Sequence, residues 1–89
     1  MSRWELRTTV RFDREVGKLD RTVAARVKTY LDHITNRDNP RSRGKGLTGD
    51  QSGYWRYRVG DYRILVEIHD RELVVLAIGV GHRSMIYRD

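Results

Sequence analysis

Two short runs of alternating apolar and polar residues, separated by Gly60-Asp61, constrain the fold more than any other feature of the sequence. Residues 54–59 and 62–69 each follow a period of two, which is typical of half-buried strands. A glycine-aspartate pair between two such runs is a frequent two-residue hairpin turn. A third run, residues 72–80, follows a second predicted turn at Asp70-Arg71 and is apolar at nearly every position, as in an interior strand. These runs predict an antiparallel β-meander.

The first half of the chain contains one predicted strand and two predicted helices. Residues 3–10 alternate with period two, and apolar residues at helical spacing follow from Phe12 to Leu19, with Thr9 as the cap. A longer helical pattern runs from Asp20, its predicted cap, to Asn36. The order β-α-α-β-β-β predicts an α+β fold, in which a two-helix hairpin packs on one face of an antiparallel sheet.

The remaining segment and the overall composition limit the class of protein. Residues 37–53 contain Asn39-Pro40 and four glycines, so we predict a loop, anchored to the core by Leu47. A chain of 89 residues predicts one domain, 1–89. The absence of cysteine excludes disulfides and thiol chemistry. The longest apolar run, residues 73–80, is too short to span a bilayer, so we expect a soluble cytoplasmic protein.

Charge is distributed unevenly along the chain. The chain has 18 Lys and Arg against 12 Asp and Glu, a net charge of +6, and the whole excess lies in residues 1–49. A basic chain favours an anionic partner, nucleic acid before membrane. The second predicted helix and the following loop carry the candidate contacts to nucleic-acid phosphates, and to RNA by the family resemblance described below, which are Arg26, Lys28, Arg41, Arg43 and Lys45.

The strand faces carry the candidate site. Alternation places Arg56 and Arg58 on the face that points away from the helices, and closure of the hairpin places Arg63 beside them. The planar guanidinium matches phosphate oxygens and keeps its charge at any working pH, so three of them could stabilise the pentavalent transition state of phosphodiester cleavage. His82, Arg83 and Tyr87 follow the last strand and could position groups or move protons.

A purely structural explanation of this pattern stays open. Exposed strands often carry arginine for solubility and edge protection, and these side chains could pair with Asp61, Glu67 or Glu72. On spacing alone, such a solvated face is the more frequent outcome. The three histidines show no ligand spacing and no cysteine accompanies them, so we predict no metal site.

Three segments together resemble a known family. They are Gly46-Leu47-Thr48-Gly49, residues 55–64 (WRYRVGDYRI) and residues 79–87 (GVGHRSMIY). With the predicted element order, they resemble toxins of the RelE/ParE superfamily, and the last segment is most similar to the RelE branch. The resemblance extends over nearly the whole chain.

This resemblance implies a toxin of a type II toxin–antitoxin pair that is neutralised by a cognate antitoxin. It implies a ribosome-dependent endoribonuclease that cuts mRNA in the A site without metal or cofactor, by attack of the ribose 2′-hydroxyl on the adjacent phosphate and departure of the 5′-oxygen. It further implies that Arg63 and Arg83 bind the scissile phosphate. Tyr87 would orient the nucleotide by stacking on a base, or assist proton transfer.

One departure from the family and two other functions bear on this hypothesis. Well-known members carry lysines where this chain has Arg56 and Arg58, and an arginine is a poor general acid or base. We therefore expect both arginines to act electrostatically, which leaves His82 as the candidate for proton transfer, since histidine titrates near neutral pH. The open alternatives are a ParE-like toxin that poisons DNA gyrase and an inactive relative that only binds antitoxin or nucleic acid.

Overall fold

The computed structural model describes residues 3–37, 39–49 and 52–84. The elements in chain order are β1 (Glu5–Thr8), α1 (Val10–Gly17), α2 (Arg21–Thr35), a one-turn 3-10 helix (Pro40–Ser42), β2 (Lys45–Gly46), β3 (Trp55–Val59), β4 (Tyr62–His69) and β5 (Val74–His82). The predicted α+β class and element order are confirmed. The 3-10 helix and β2 are additions within the segment that was predicted to be a loop.

Both helices begin at the predicted caps. The side-chain oxygen of Thr9 accepts a 3.0 Å hydrogen bond from the backbone N–H of Phe12, and its hydroxyl donates at 2.9 Å to the carbonyl oxygen of Ile78. A carboxylate oxygen of Asp20 accepts from the backbone N–H of Thr22 at 3.1 Å. These bonds satisfy N–H groups that a helix leaves without partners in its first turn. Thr9 also ties the start of α1 to β5.

The five strands found in the described ranges form one mixed sheet in the order β1-β5-β4-β3-β2. Neighbouring strands are antiparallel except for β1 and β5, which run parallel, with Glu5 opposite Val74 and Thr8 opposite Ala77. The sheet therefore differs from the predicted antiparallel one at this single pair. Alternation along residues 3–10 identified a strand, but it carries no information about the direction of its partner.

Of the two predicted turns of the meander, the first is found at the predicted residues and the second is longer than predicted. Gly60-Asp61 joins β3 to β4 as predicted, and Gly60 has the positive φ, +58°, that two-residue hairpin turns require. The connection from β4 to β5 has four residues, Asp70 to Leu73, so the predicted strand 72–80 is instead Val74–His82. The cause is Leu73, whose φ of +55° belongs to the turn although its side chain continues the apolar pattern.

The core lies between the two helices and one face of the sheet. Alternation along β3 and β4 turns Tyr57 and Ile64 toward the helices, where neither is exposed to solvent. The core residues that are 2% exposed or less include Phe12, Val27, Leu31, Ile34, Tyr57, Ile64, Val66 and Val75. The same alternation turns Arg56, Arg58 and Arg63 to the opposite face. Within the described ranges, no helix has the length and apolar character needed to cross a membrane.

Candidate functional site

A cationic pocket of about 470 Å³ lies on the sheet face opposite the helices. Its lining residues are Gly44, Lys45, Arg56, Arg58 and Arg63. The strand register explains this assembly, because Lys45 lies directly across from Arg56 and Arg58 directly across from Arg63. Residues directly opposite in an antiparallel pair project from the same face. The structure thus brings the three arginines that were predicted from alternation together with a lysine from β2. We refer to this site as the arginine pocket.

The arginines of the pocket differ in exposure. Arg58 is exposed, whereas Arg56 is 7% and Arg63 only 4% exposed, so the alternative of a plain solvated face does not describe two of the three arginines. Arg63 donates from Nη1 to the carbonyl oxygens of Gly60 and Tyr62, both at 3.1 Å. A buried charge needs such partners to offset its lost hydration. Arg63 is therefore fixed against the β3–β4 turn before any ligand binds.

Gly44 allows β2 to lie close against β3. Its φ is +80°, and a Cβ atom at this position would lie 2.3 Å from the carbonyl oxygen of Arg56 and 2.8 Å from Cδ1 of Tyr57. No other residue avoids both the left-handed strain and this contact. The close approach sets the pairing of Lys45 with Arg56, so a glycine in the predicted loop helps to build the pocket.

Two aromatic side chains of β3 hold the segment that leads into β2. The hydroxyl of Tyr57 donates at 2.7 Å to the carbonyl oxygen of Pro40, and Nε1 of Trp55 donates at 2.7 Å to the carbonyl oxygen of Arg43. Burial raises the pKa of the Tyr57 phenol, so this hydroxyl remains a donor. The predicted anchor, Leu47, is only half-buried, whereas Pro40 is fully buried. The anchor therefore lies nearer the start of the segment than its apolar content suggested.

Arg41, a predicted RNA contact, is engaged by a carboxylate of the β4–β5 turn. Its guanidinium donates two hydrogen bonds to Asp70, at 2.8 and 2.9 Å, and its Cζ atom lies 6.0 Å from the ring centroid of Trp55. The hydrogen bond from Arg41 holds the pKa of Asp70 below its ordinary value. A paired and stacked guanidinium is less available to RNA, so we assign Arg41 chiefly to holding the 3-10 segment in place.

The other predicted RNA contacts are dispersed. Arg26 lies on α2 near the β3–β4 turn, where a Cβ atom at Gly60 would be 3.5 Å from its Nη2 atom. Lys28 lines a groove between the helices together with Asp13 and Asp32, and Arg43 is exposed beside the 3-10 helix. Of the five predicted contacts, Lys45 is the one that lines the arginine pocket.

His82 lies on the opposite side of the sheet from the arginine pocket. It is the last residue of β5 and pairs with Tyr62, whose ring it meets edge-on at 5.5 Å between centroids. Its Nδ1 atom lies 2.7 Å from the hydroxyl oxygen of Ser84. The residue that faces the pocket side at this end of β5 is Gly81, directly across from Arg63. The structure does not bring His82 together with the arginines.

The two other predicted residues near the end of the chain have different outcomes. The backbone N–H of Arg83 donates at 2.8 Å to the carbonyl oxygen of Asp61, and its Nε atom lies 3.8 Å from Oδ1 of the same residue. Arg83 is exposed, and its backbone is tied to the same β3–β4 turn that holds Arg63. Tyr87 lies outside the described residues.

A further cation on the pocket side was missed from the sequence. Glu15 accepts a 3.0 Å hydrogen bond from the backbone N–H of Val80 and pairs with Arg11 at 3.3 Å. A Cβ atom at Gly79 would lie 2.9 Å from Glu15 and 3.0 Å from the guanidinium of Arg11. Gly79 lies across from Leu65, on the face of the arginine pocket, so Arg11 reaches that face around the edge of β5. The signals in the sequence were the glycine in a strand and the i, i+4 charge pair.

Comparison with known proteins identifies the family. A family model described as the ParE toxin of type II toxin–antitoxin systems matches residues 6–87. The chain therefore belongs to this family of toxins, within the RelE/ParE superfamily, as the sequence motifs predicted. It is 34% identical over 84 residues to the toxin RelG of Mycobacterium tuberculosis, and the match covers 90% of this chain and 95% of the relative.

Solved structures agree with this assignment. The toxin–antitoxin complex RelBE2 of Mycobacterium tuberculosis matches with a TM-score of 0.84 at 28% identity, covering 94% of this chain and 95% of the other. The isolated Escherichia coli toxin RelE matches with a TM-score of 0.72 at 25% identity, over 94% and 90% of the two chains. The archaeal RelE–RelB complex of Pyrococcus horikoshii matches with a TM-score of 0.73 at 19% identity, over 96% and 99%, and shows the fold alone. These relatives support the RelE branch.

Proposed function

We propose that this toxin is a ribosome-dependent endoribonuclease that cuts mRNA in the A site and thereby inhibits translation. The observation that carries the proposal is the convergence of Lys45, Arg56, Arg58 and Arg63 in one pocket. No described residue that lines this pocket is acidic, so the site is suited to a phosphodiester. The proposed reaction uses the 2′-hydroxyl of the substrate as nucleophile and needs no metal or cofactor.

The difference in burial among the four cations indicates different roles in the proposed reaction. Arg63 and Arg56 are held in place by the protein, so their charge is positioned before the substrate arrives and needs no reorganisation during the reaction. Arg58 and Lys45 are exposed and can close on the phosphate from the solvent side. The guanidinium groups stabilise the charge that develops on the equatorial oxygens of the pentavalent phosphorus.

Residues near the end of the chain complete the proposed site. Arg83, tied through its backbone to the β3–β4 turn, would bind the same phosphate or its neighbour. Tyr87, by the family resemblance, would orient the nucleotide. His82, which the sequence suggested for proton transfer, is given no part in the reaction because it faces the helix side of the sheet.

The proposed partners follow from the relatives. The structures of RelBE2 and of the archaeal RelE–RelB pair are toxin–antitoxin complexes, which supports a cognate antitoxin for this chain as well. Ribosome and mRNA are the proposed targets, with the cytoplasm as the place of action. The exposed basic residues Arg26, Lys28 and Arg43 are available for ribosomal RNA phosphates.

The test is cleavage of mRNA on programmed ribosomes by the purified toxin and by Arg58→Ala. We expect the toxin to cut mRNA only when ribosomes are present. Arg58→Ala should lower the rate by about 100-fold, as for loss of one transition-state donor. Arg71→Ala, which removes an exposed arginine of the β4–β5 turn remote from the pocket, is the matched control and should cut at the original rate.

Two outcomes would contradict the proposal. One is an intact wild-type toxin that leaves mRNA uncut on ribosomes but inhibits DNA gyrase, which would support the ParE-like alternative. The other is cleavage by Arg58→Ala at the wild-type rate, which would place the chemistry outside the arginine pocket. Loss of cleavage in Arg83→Ala or in Tyr87→Phe would extend the site to the end of the chain.

A further inference from the structure

We propose that Lys45 is the general acid of the arginine pocket, which protonates the 5′-oxygen as it leaves the scissile phosphate. This inference rests on the proposed endoribonuclease function and assigns a step within it. Lys45 is predicted from the sequence to bind RNA phosphates. In the proposed step it is instead a group that touches the reacting atoms.

The reaction requires a proton at this oxygen. The 2′-oxygen forms a bond to phosphorus and its proton passes to water, while the bond from phosphorus to the 5′-oxygen breaks. The 5′-oxygen carries the electron pair of that bond and is strongly basic as a free alkoxide, so a donor that delivers a proton during bond cleavage lowers the barrier. The products are a 2′,3′-cyclic phosphate and a 5′-hydroxyl.

Of the described residues that line the pocket, one has a side chain that can supply this proton. Arginine keeps its proton in proteins, so Arg56, Arg58 and Arg63 serve as fixed charges. Lys45 carries three N–H donors and can release a proton and regain it from solvent. His82, the other candidate from the sequence, faces the opposite side of the sheet.

The geometry leaves the Lys45 ammonium free to reach a bound phosphate. Its backbone is fixed across from Arg56 by the two-residue strand β2, and the tight approach at Gly44 sets that register. The side chain itself is exposed, and none of the residues in the described ranges forms an ion pair or hydrogen bond with its Nζ atom. A fixed backbone position combined with an exposed side chain is suited to a group that contacts the substrate from the solvent side.

The test compares two leaving groups in single-turnover cleavage on programmed ribosomes. One mRNA carries the natural 5′-oxygen at the scissile bond and the other carries a 5′-bridging sulfur. A thiolate leaves without protonation, so removal of a general acid slows cleavage of the oxygen substrate alone. We expect Lys45→Ala to lose about 100- to 10,000-fold on the oxygen substrate and to cut the sulfur substrate at nearly the wild-type rate.

Two further variants separate proton donation from charge and from folding. Lys45→Arg keeps the positive charge but does not give up its proton, so it should show the same selective loss on the oxygen substrate. Lys18→Ala removes an exposed lysine at the end of α1, a helix that packs on β5 and does not line the pocket, and should cut both substrates normally. Unchanged urea denaturation of the Lys45 variants would exclude misfolding as the cause.

The outcomes separate this inference from the proposed function. Equal losses on both substrates would show that Lys45 contributes only charge, and full activity of Lys45→Arg on the oxygen substrate would show the same. Wild-type activity of Lys45→Ala would exclude any role in the reaction. In each of these cases the wild-type toxin still cuts mRNA, so the proposed function stands while this inference fails. A wild-type toxin that cuts neither substrate would overturn both.

Discussion

The hydroxyl of Tyr57 donates a 2.7 Å hydrogen bond to the carbonyl oxygen of Pro40, and both residues are fully buried. This bond joins the middle of β3 to the 3-10 helix, 17 residues earlier in the chain. The arginine pocket lies on the other face of the same strand. The core-facing side chain of Tyr57 thus fixes the segment that leads to Lys45, which lines that pocket.

Replacement of this hydroxyl should cost stability. Tyr57→Phe leaves the Pro40 carbonyl oxygen buried without its donor, and we expect the free energy of unfolding in urea to fall by about 1–3 kcal/mol. Tyr62→Phe is the control, because the Tyr62 ring packs on His82 and its hydroxyl bonds to none of the described residues. A Tyr57→Phe variant as stable as Tyr62→Phe would show that the bond contributes little.

The close approach of β2 to β3 at Gly44 predicts that alanine lowers the free energy of unfolding more at this glycine than at another glycine of positive φ. Gly44→Ala places a Cβ 2.3 Å from the carbonyl oxygen of Arg56 and also strains a φ of +80°. Gly49→Ala strains a similar φ of +66° but meets nothing within 4 Å. We expect both to lose about 1–2 kcal/mol from the strain, and Gly44→Ala to lose about 1–3 kcal/mol more from the clash. Equal unfolding midpoints for the two variants would contradict the close packing of β2 on β3.

Glu15 predicts a local effect at the edge of β5. Its carboxylate accepts from the backbone N–H of Val80, beyond the point where β1 stops pairing with β5. Glu15→Ala removes this acceptor, and we expect a loss of about 1 kcal/mol. Hydrogen exchange of the Val80 amide should also become faster. Glu15→Gln keeps an acceptor oxygen and should preserve most of the amide protection. If Val80 exchanges alike in all three proteins, the edge is protected by another contact.

The Arg41–Asp70 pair predicts a pH dependence with a definite sign. The hydrogen bond from Arg41 lowers the pKa of Asp70 in the folded protein below its ordinary value of 3.8. The resulting stabilisation is present above that ordinary value and disappears as the pH falls through the lower folded pKa. Asp70→Asn should therefore be less stable than the wild type at neutral pH, with a gap that closes in acid.

The Arg41–Asp70 prediction has a direct spectroscopic control. A carbon-detected NMR titration should give a lower pKa for the Asp70 carboxyl in the wild type than in Arg41→Gln. Equal titration midpoints in the two proteins would mean that the pair seen in the structure does not persist in solution.

Much of the fold was predictable because local patterns determined it. The alternation on either side of Gly60-Asp61 gave the hairpin and its register, and Thr9 and Asp20 gave the helix starts. The parallel partner of β1 was not predictable in this way. That pairing depends on residues about 70 positions away, and the pattern within β1 is the same for either direction.

The candidate site was predictable in its members on β3 and β4 and less so elsewhere. Arg56, Arg58 and Arg63 follow from alternation, but the burial of Arg63 depends on backbone carbonyls of the turn, which no side-chain pattern reveals. The face of His82 was missed because the glycines before it suggested that the strand had ended. In the structure β5 continues through His82, and an irregularity in its pairing near Leu65 resets the alternation.

The parallel contact between β1 and β5 has a consequence for how the chain folds. Glu5 to Thr8 are synthesised before the other described strands, yet their partners, Val74 to Ala77, belong to β5, which follows all of those strands in the chain. The helices can form early from local contacts, whereas the sheet closes only after nearly all of the described chain is present. A truncated product that lacks β5 would leave β1 without a neighbour and the edge bonds of α1 unmade. Synthesis of β5 is therefore the step that allows the described sheet to close and the chain to reach its native fold.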